Sequence, residues 1–116
     1  MVLDPTKHEV FRGGLSLTIR PNVDVHPSRA DKLIHPTKKG NVDGKFQGPS
    51  TNIDPLDKFV VGNGGAHRVL SVPEGLQIVR DGDKGHFVIA PTRPMTMEAY
   101  EALMAKVELD QNLTHE

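Results

Sequence analysis

Residues 76 to 107 hold two alternating apolar runs, a glycine-bearing turn and an amphipathic segment in unbroken succession, and they leave few folds open. Leu76 and Ile78, then Phe87 and Ile89, stand two apart, the spacing that aligns them on one face of a strand. Between the runs, Asp81-Gly82 and Lys84-Gly85 supply the positive-φ positions that a hairpin turn needs. Pro91 and Pro94 cannot donate to a sheet ladder, so the second strand is expected to stop at Ala90. Thr96 is the expected N-cap of a helix. Met97, Tyr100, Leu103, Met104 and Val107 then recur at three and four residues as one apolar stripe, with Glu98, Glu101 and Lys106 on the other side. A hairpin closed by a helix is a small core, and the N-terminal half must pack on it.

The chain has 116 residues, the size of a single domain. Residues 9–108 are expected to form its core and residues 110–116 a frayed polar tail. Only 4% of residues are aromatic, so Val, Leu and Ile must build most of the interior. The 11 glycines and 9 prolines gather mainly before residue 75, which predicts a loop-rich first half with short strands. No cysteine is present, which excludes disulfides and thiolate metal sites. A net charge of −1 argues against an extended nucleic-acid or membrane surface, while a local nucleic-acid patch stays open. No stretch is long enough to span a bilayer, and the N-terminus lacks the apolar centre of a signal peptide.

Strands are expected at residues 8–12, 15–19 and 67–70, with a short helix at 54–59 capped by Asp54 and opened by Pro55. Residues 22–52 show no sustained period and contain Leu33-Ile34 and Phe46 as apolar anchors. A loop of this length inside one domain is uncommon and often functional. The expected class is α+β, mostly β, as a half-barrel or two small twisted sheets with a C-terminal helix.

Three groups can carry chemistry. Arg12 ends the first strand beside Gly13-Gly14, where a backbone or ligand can approach closely; an arginine so placed can fork onto a phosphate, or can be a plain surface arginine at a turn. Gln47 to Asn52 form a turn that presents the Ser50 and Thr51 hydroxyls, either to a ligand or only to the turn itself. Among six histidines, none paired at the tight helical spacing of a zinc site, His67 and His86 fall on strands expected to be neighbours. Sharing one face, they would serve as acid and base near neutral pH; otherwise they are strand-end histidines bonded to backbone. No metal site is expected. No acidic residue stands out as a catalytic carboxylate, and Lys38-Lys39 reads as a solvated loop.

Five motifs then occur in order: Phe11-Arg-Gly-Gly14, Gly48-Pro-Ser50, Val72-Pro-Glu-Gly-Leu76, Gly85-His-Phe-Val-Ile-Ala-Pro91 and Arg93-Pro-Met-Thr96. The series resembles C-terminal toxin modules of bacterial polymorphic toxins and, more distantly, type VI secretion effector toxins with an ADP-ribosyltransferase-like fold. It covers residues 9–108. The resemblance implies NAD as cofactor, with Arg12 and Gly13 at the phosphates and Ser50 and Thr51 on the nicotinamide side. It also implies a third-strand glutamate, but the segment His67-Arg-Val-Leu-Ser-Val-Pro73 has none at its start, which leaves His67, Arg68 or His86 as candidates for that role. It further implies action in the cytoplasm of a target cell, delivery by a secretion system or as part of a larger protein, and an immunity protein or antitoxin as partner. Two other readings stand beside it: a metal-independent ribonuclease using His67 and His86 with Arg68 or Lys84, and a non-enzymatic interaction domain with structural histidines.

Overall fold

A computed structural model describes residues 2–37, 46–81 and 85–113. The turn residues 82–84, which include Lys84, lie outside the described residues, as do Lys38, Lys39 and His115. Among the described residues seven strands form one antiparallel sheet: β1 (Val2–Leu3), β2 (Phe11–Gly13), β3 (Ser50–Asn52), β4 (Ala66–Ser71), β5 (Leu76–Arg80), β6 (His86–Pro91) and β7 (Glu108–Leu109). Helix α1 (Lys58–Gly62) precedes β4 and helix α2 (Met97–Met104) follows β6. The strand order is β1-β5-β6-β3-β2-β4-β7, curled into a half-barrel, and the fold is α+β and mostly β.

The β5–β6 hairpin forms as its alternation predicts, in register from Leu76↔Pro91 to Arg80↔Phe87. The strand runs one residue past the expected stop at Ala90, because a strand end tolerates a proline whose missing N–H has no ladder partner to serve. Leu76, Ile78, Phe87 and Ile89 are buried on one face, and Tyr100, Met104 and Val107 close over them. Full burial of each such side chain stabilises the fold by about 1.5–3 kcal/mol. Thr96 caps α2 as expected, its hydroxyl accepting from the Ala99 N–H at 3.1 Å. Val79, Val88 and Ala90 face the other way, under Phe46. Among the described residues no helix is long and apolar enough to cross a membrane.

The first half departs from expectation in several places, among them strands β1 and β3, which form where no strand is expected. The strand expected at residues 8–12 begins at Phe11, not His8, because Asp4 draws residues 4–8 into a turn whose Lys7 and His8 N–H groups both bond the Asp4 carbonyl. Residues 15–19 form no strand: Gly14 turns the chain at φ +79° and its N–H goes to the Gly65 carbonyl, so the segment leaves the sheet edge. The short helix starts three residues late. Asp57 caps it through the Phe59 N–H at 2.8 Å, while Asp54 closes the preceding turn on the Leu56 N–H. Two aspartates three residues apart offer the same local signal, and packing of Val60 against Phe11 and Ala66 selects the second.

The long loop is pinned rather than free. Ile34 exchanges two backbone hydrogen bonds with Met95, at 2.7 and 3.0 Å, and its side chain is fully buried. Gln47 is buried too, accepting from the His26 N–H and donating to the His35 carbonyl. Gly48 donates to the Asp24 carbonyl at 3.0 Å, which ties the start of the loop to the entry of β3.

Candidate functional site

The strand register sorts the candidates by face. Phe11 pairs Asn52 and Arg68, and Asn52 pairs His86, so these four form one row across the sheet. The next row carries Phe87, Thr51, Arg12 and His67. Side chains in one row share a face and adjacent rows alternate. His67 and His86 therefore lie on opposite faces, with β3 and β2 between their strands. The expectation of neighbouring strands and a shared face is corrected: β4 pairs with β2 and β7, and the long loop inserts β3 beside β6. Each histidine directs Nδ1 to a backbone carbonyl, His67 to Asp110 at 2.8 Å and His86 to Asp81 at 3.2 Å.

Arg12 does stand in a cleft. Its Nε donates to the Ser16 carbonyl at 3.1 Å and its Nη1 to the Ser50 carbonyl at 3.0 Å. Among the described residues Nη2 makes no hydrogen bond, and no carboxylate lies within ion-pair distance of the guanidinium. Burial pushes its pKa down, the Asp24 charge opposes that, and Arg20 adds to it. The cleft has a volume of about 460 Å³; Gly14, Leu15, Asp24 and Phe59 are among the residues that line it. Gly14 cannot be replaced cheaply, since a Cβ there would meet the Asn63 carbonyl oxygen at 2.6 Å.

Ser50 meets Arg12 through its carbonyl, not its hydroxyl, because the side chain follows its cross-strand partner Val88 onto the other face. Thr51 is fully buried, and its hydroxyl donates to the Phe87 carbonyl at 3.1 Å. The side chain is thus turned inward, one residue of parity away from Ser50, and is not among the residues lining the cleft. Gly13 lines the cleft, but its missing side chain serves helix α1: a Cβ would meet Asn63 Cβ at 2.7 Å and the Val60 carbonyl at 2.8 Å.

Sequence reasoning missed the carboxylates. Asp24 lines the cleft with its side chain 10% exposed, gripped by Arg20 through Nε at 3.2 Å and Nη2 at 3.0 Å. That bond also holds the Arg20 guanidinium above its usual range. The available signal was an Arg and an Asp four apart around Pro21-Asn22, where Asn22 takes a positive φ. Beyond Ser50 a second lobe of about 270 Å³ shares Arg20, Asp24 and Ser50 with the first and adds Asp81 and Phe46. The Phe59 ring, 38% exposed, gives the first lobe an aromatic wall. Comparison of the chain with protein-family models, with curated proteins and with solved structures finds no match.

Proposed function

We propose that the chain is a bacterial toxin or effector domain whose cleft binds NAD for ADP-ribosyltransferase-like chemistry. The observation that carries the reading is Arg12: a guanidinium held by two carbonyls at a cleft, with one nitrogen left without a protein partner among the described residues. A largely desolvated arginine with no bound carboxylate is matched to an anionic ligand, and its planar fork suits a diphosphate. Leu15 and Phe59 supply an apolar surface for an aromatic ring beside it. The volume is within the range of nucleotide-sized ligands. In the transfer, nicotinamide leaves with the electrons of its bond to ribose, and the ADP-ribosyl carbon bonds a nucleophile of a macromolecular target, which gives up a proton. Under this reading the domain acts in the cytoplasm of a target cell, delivered by a secretion system or within a larger protein. An immunity protein that covers the cleft is its expected partner.

The test is calorimetric titration of the protein with NAD, beside its melting temperature at saturating NAD. At a concentration 100 times Kd, binding to the folded state alone adds about 2.7 kcal/mol of stability. Wild type is expected to bind and to arrest bacterial growth when expressed, while folded Arg12→Gln does neither. No heat and no melting shift at saturating NAD would overturn the proposal. The histidine-based ribonuclease reading has no support in the geometry, since an acid and base must reach one phosphate from the same side.

A further inference from the structure

The ladder between β3 and β6 lacks one bond where β3 begins. Its register runs Thr51↔Phe87 and Ser50↔Val88, and the next pair outward is Pro49 with Ile89. Opposed residues of an antiparallel pair exchange two backbone hydrogen bonds at every second position. Here one forms: the Ile89 N–H donates to the Pro49 carbonyl at 3.1 Å, and Pro49 has no N–H to give in return. The acceptor so vacated is the Ile89 carbonyl, and the Tyr100 hydroxyl donates to it at 2.6 Å. Tyr100 is fully buried, so water does not compete for that place. A side chain of α2 thus supplies the ladder bond that a proline withholds.

The cleft is built on that junction. Gly48 lies against the same carbonyl, where a Cβ would come within 2.0 Å of the Ile89 oxygen and 3.1 Å of the Tyr100 hydroxyl. The Gly48 N–H holds the Asp24 carbonyl at 3.0 Å. Two residues on, the Ser50 carbonyl holds Arg12 Nη1 at 3.0 Å. We infer that Tyr100 is a positioning residue for the cleft: its hydroxyl fixes the entry of β3 and, through it, the Arg12 guanidinium and Asp24. The inference rests on the proposed function for an anionic occupant at Arg12, and it adds α2 to the parts that set the site. Burial raises the phenol pKa, the Asp24 charge adds to the shift and Arg12 opposes it, so Tyr100 lies within reach of the charges it positions.

Inorganic pyrophosphate and NAD are each titrated calorimetrically into wild type, Tyr100→Phe and Thr96→Ala, at a temperature where melting curves show all three folded. Thr96→Ala weakens the same helix at its exposed cap and leaves the hydroxyl in place, so it should bind as wild type does. Tyr100→Phe should bind about threefold to tenfold more weakly, the scale on which a side chain acts on a site it does not touch. Pro49→Ala in the Tyr100→Phe background returns a backbone N–H to the Ile89 carbonyl and should recover most of that loss. In wild type the near-ultraviolet phenol band should shift on saturation with pyrophosphate, which is transparent there. With one tyrosine and no tryptophan in the chain, that band belongs to Tyr100. Equal affinity in Tyr100→Phe and wild type overturns the inference, as do equal losses in Tyr100→Phe and Thr96→Ala, no recovery in the double variant, or an unchanged phenol band. Wild-type NAD binding then leaves the proposed function standing. If wild type binds one probe only, that probe's series decides the inference, and NAD alone decides the proposed function. If it binds neither, both fall. Should Tyr100→Phe not fold, the wild-type phenol band carries the test.

Discussion

Tyr100→Phe is expected to destabilise the domain by about 2 kcal/mol at neutral pH and to remove one component of its alkaline sensitivity. Tyr100 is fully buried, and its hydroxyl donates to the Ile89 carbonyl at 2.6 Å, tying α2 to β6. Phenylalanine keeps the ring in place and deprives a buried acceptor of that donor, a loss of about 1–3 kcal/mol. For a domain of this size that lowers Tm by roughly 8 °C. Burial also pushes the phenol pKa well above its ordinary value; the Asp24 charge adds to the shift and Arg12 opposes it. Above about pH 10 the unfolded chain gives up a proton that the folded chain keeps, so rising pH favours unfolding. By about pH 11 this one group has lost the wild type about 1.4 kcal/mol relative to neutral pH, and the variant loses nothing by this route. The gap between the two proteins in urea unfolding should therefore shrink from about 2 to roughly 0.6 kcal/mol. With one tyrosine and no tryptophan in the chain, near-ultraviolet phenolate absorbance reports Tyr100 alone. Ionisation should coincide with loss of the native circular dichroism. A phenol that titrates reversibly near pH 10 in the folded protein, or a stability gap that stays constant with pH, would refute the reasoning.

Two further substitutions probe the frame of the cleft. Gly48→Ala should abolish cooperative unfolding, since its Cβ would lie 2.0 Å from the Ile89 carbonyl oxygen at a φ of +146°; a soluble variant with native circular dichroism and Tm would contradict the packing of β3 on β6. Thr96→Ala removes the cap of α2 and should cost about 1 kcal/mol, read as a Tm lower by roughly 4 °C.

The elements near the C-terminus were legible because their signals are local. A stripe at three and four residues, an N-cap threonine and an alternating pair of strands are properties of adjacent residues, and α2, β5 and β6 appear where those patterns stand. Arg12 was legible as a strand-end arginine beside glycines, and it does line a cleft. The carboxylates were not. Asp24 reaches the cleft because a loop without periodicity is held by Gly48, Gln47 and Ile34 through contacts distant in the chain. Asp81 looked like a turn former, which it also is: its N–H bonds the His86 carbonyl, and only the packing of β3 beside β6 brings its side chain to the edge of a lobe.

The sequence by itself determined the mostly β class, the hairpin, the capped helix and the apolar residues that fill the core, because periodicity and burial act within a few residues of chain. Tertiary structure alone decided which strands are neighbours and which face each candidate takes. A strand pairs through backbone groups that are alike at every position, so its partner is chosen by what the whole sheet can bury. A shift of one residue in that register reverses every side chain. That parity turned Thr51 inward and separated His67 from His86, while long-range contacts of the loop set Asp24 beside Arg12.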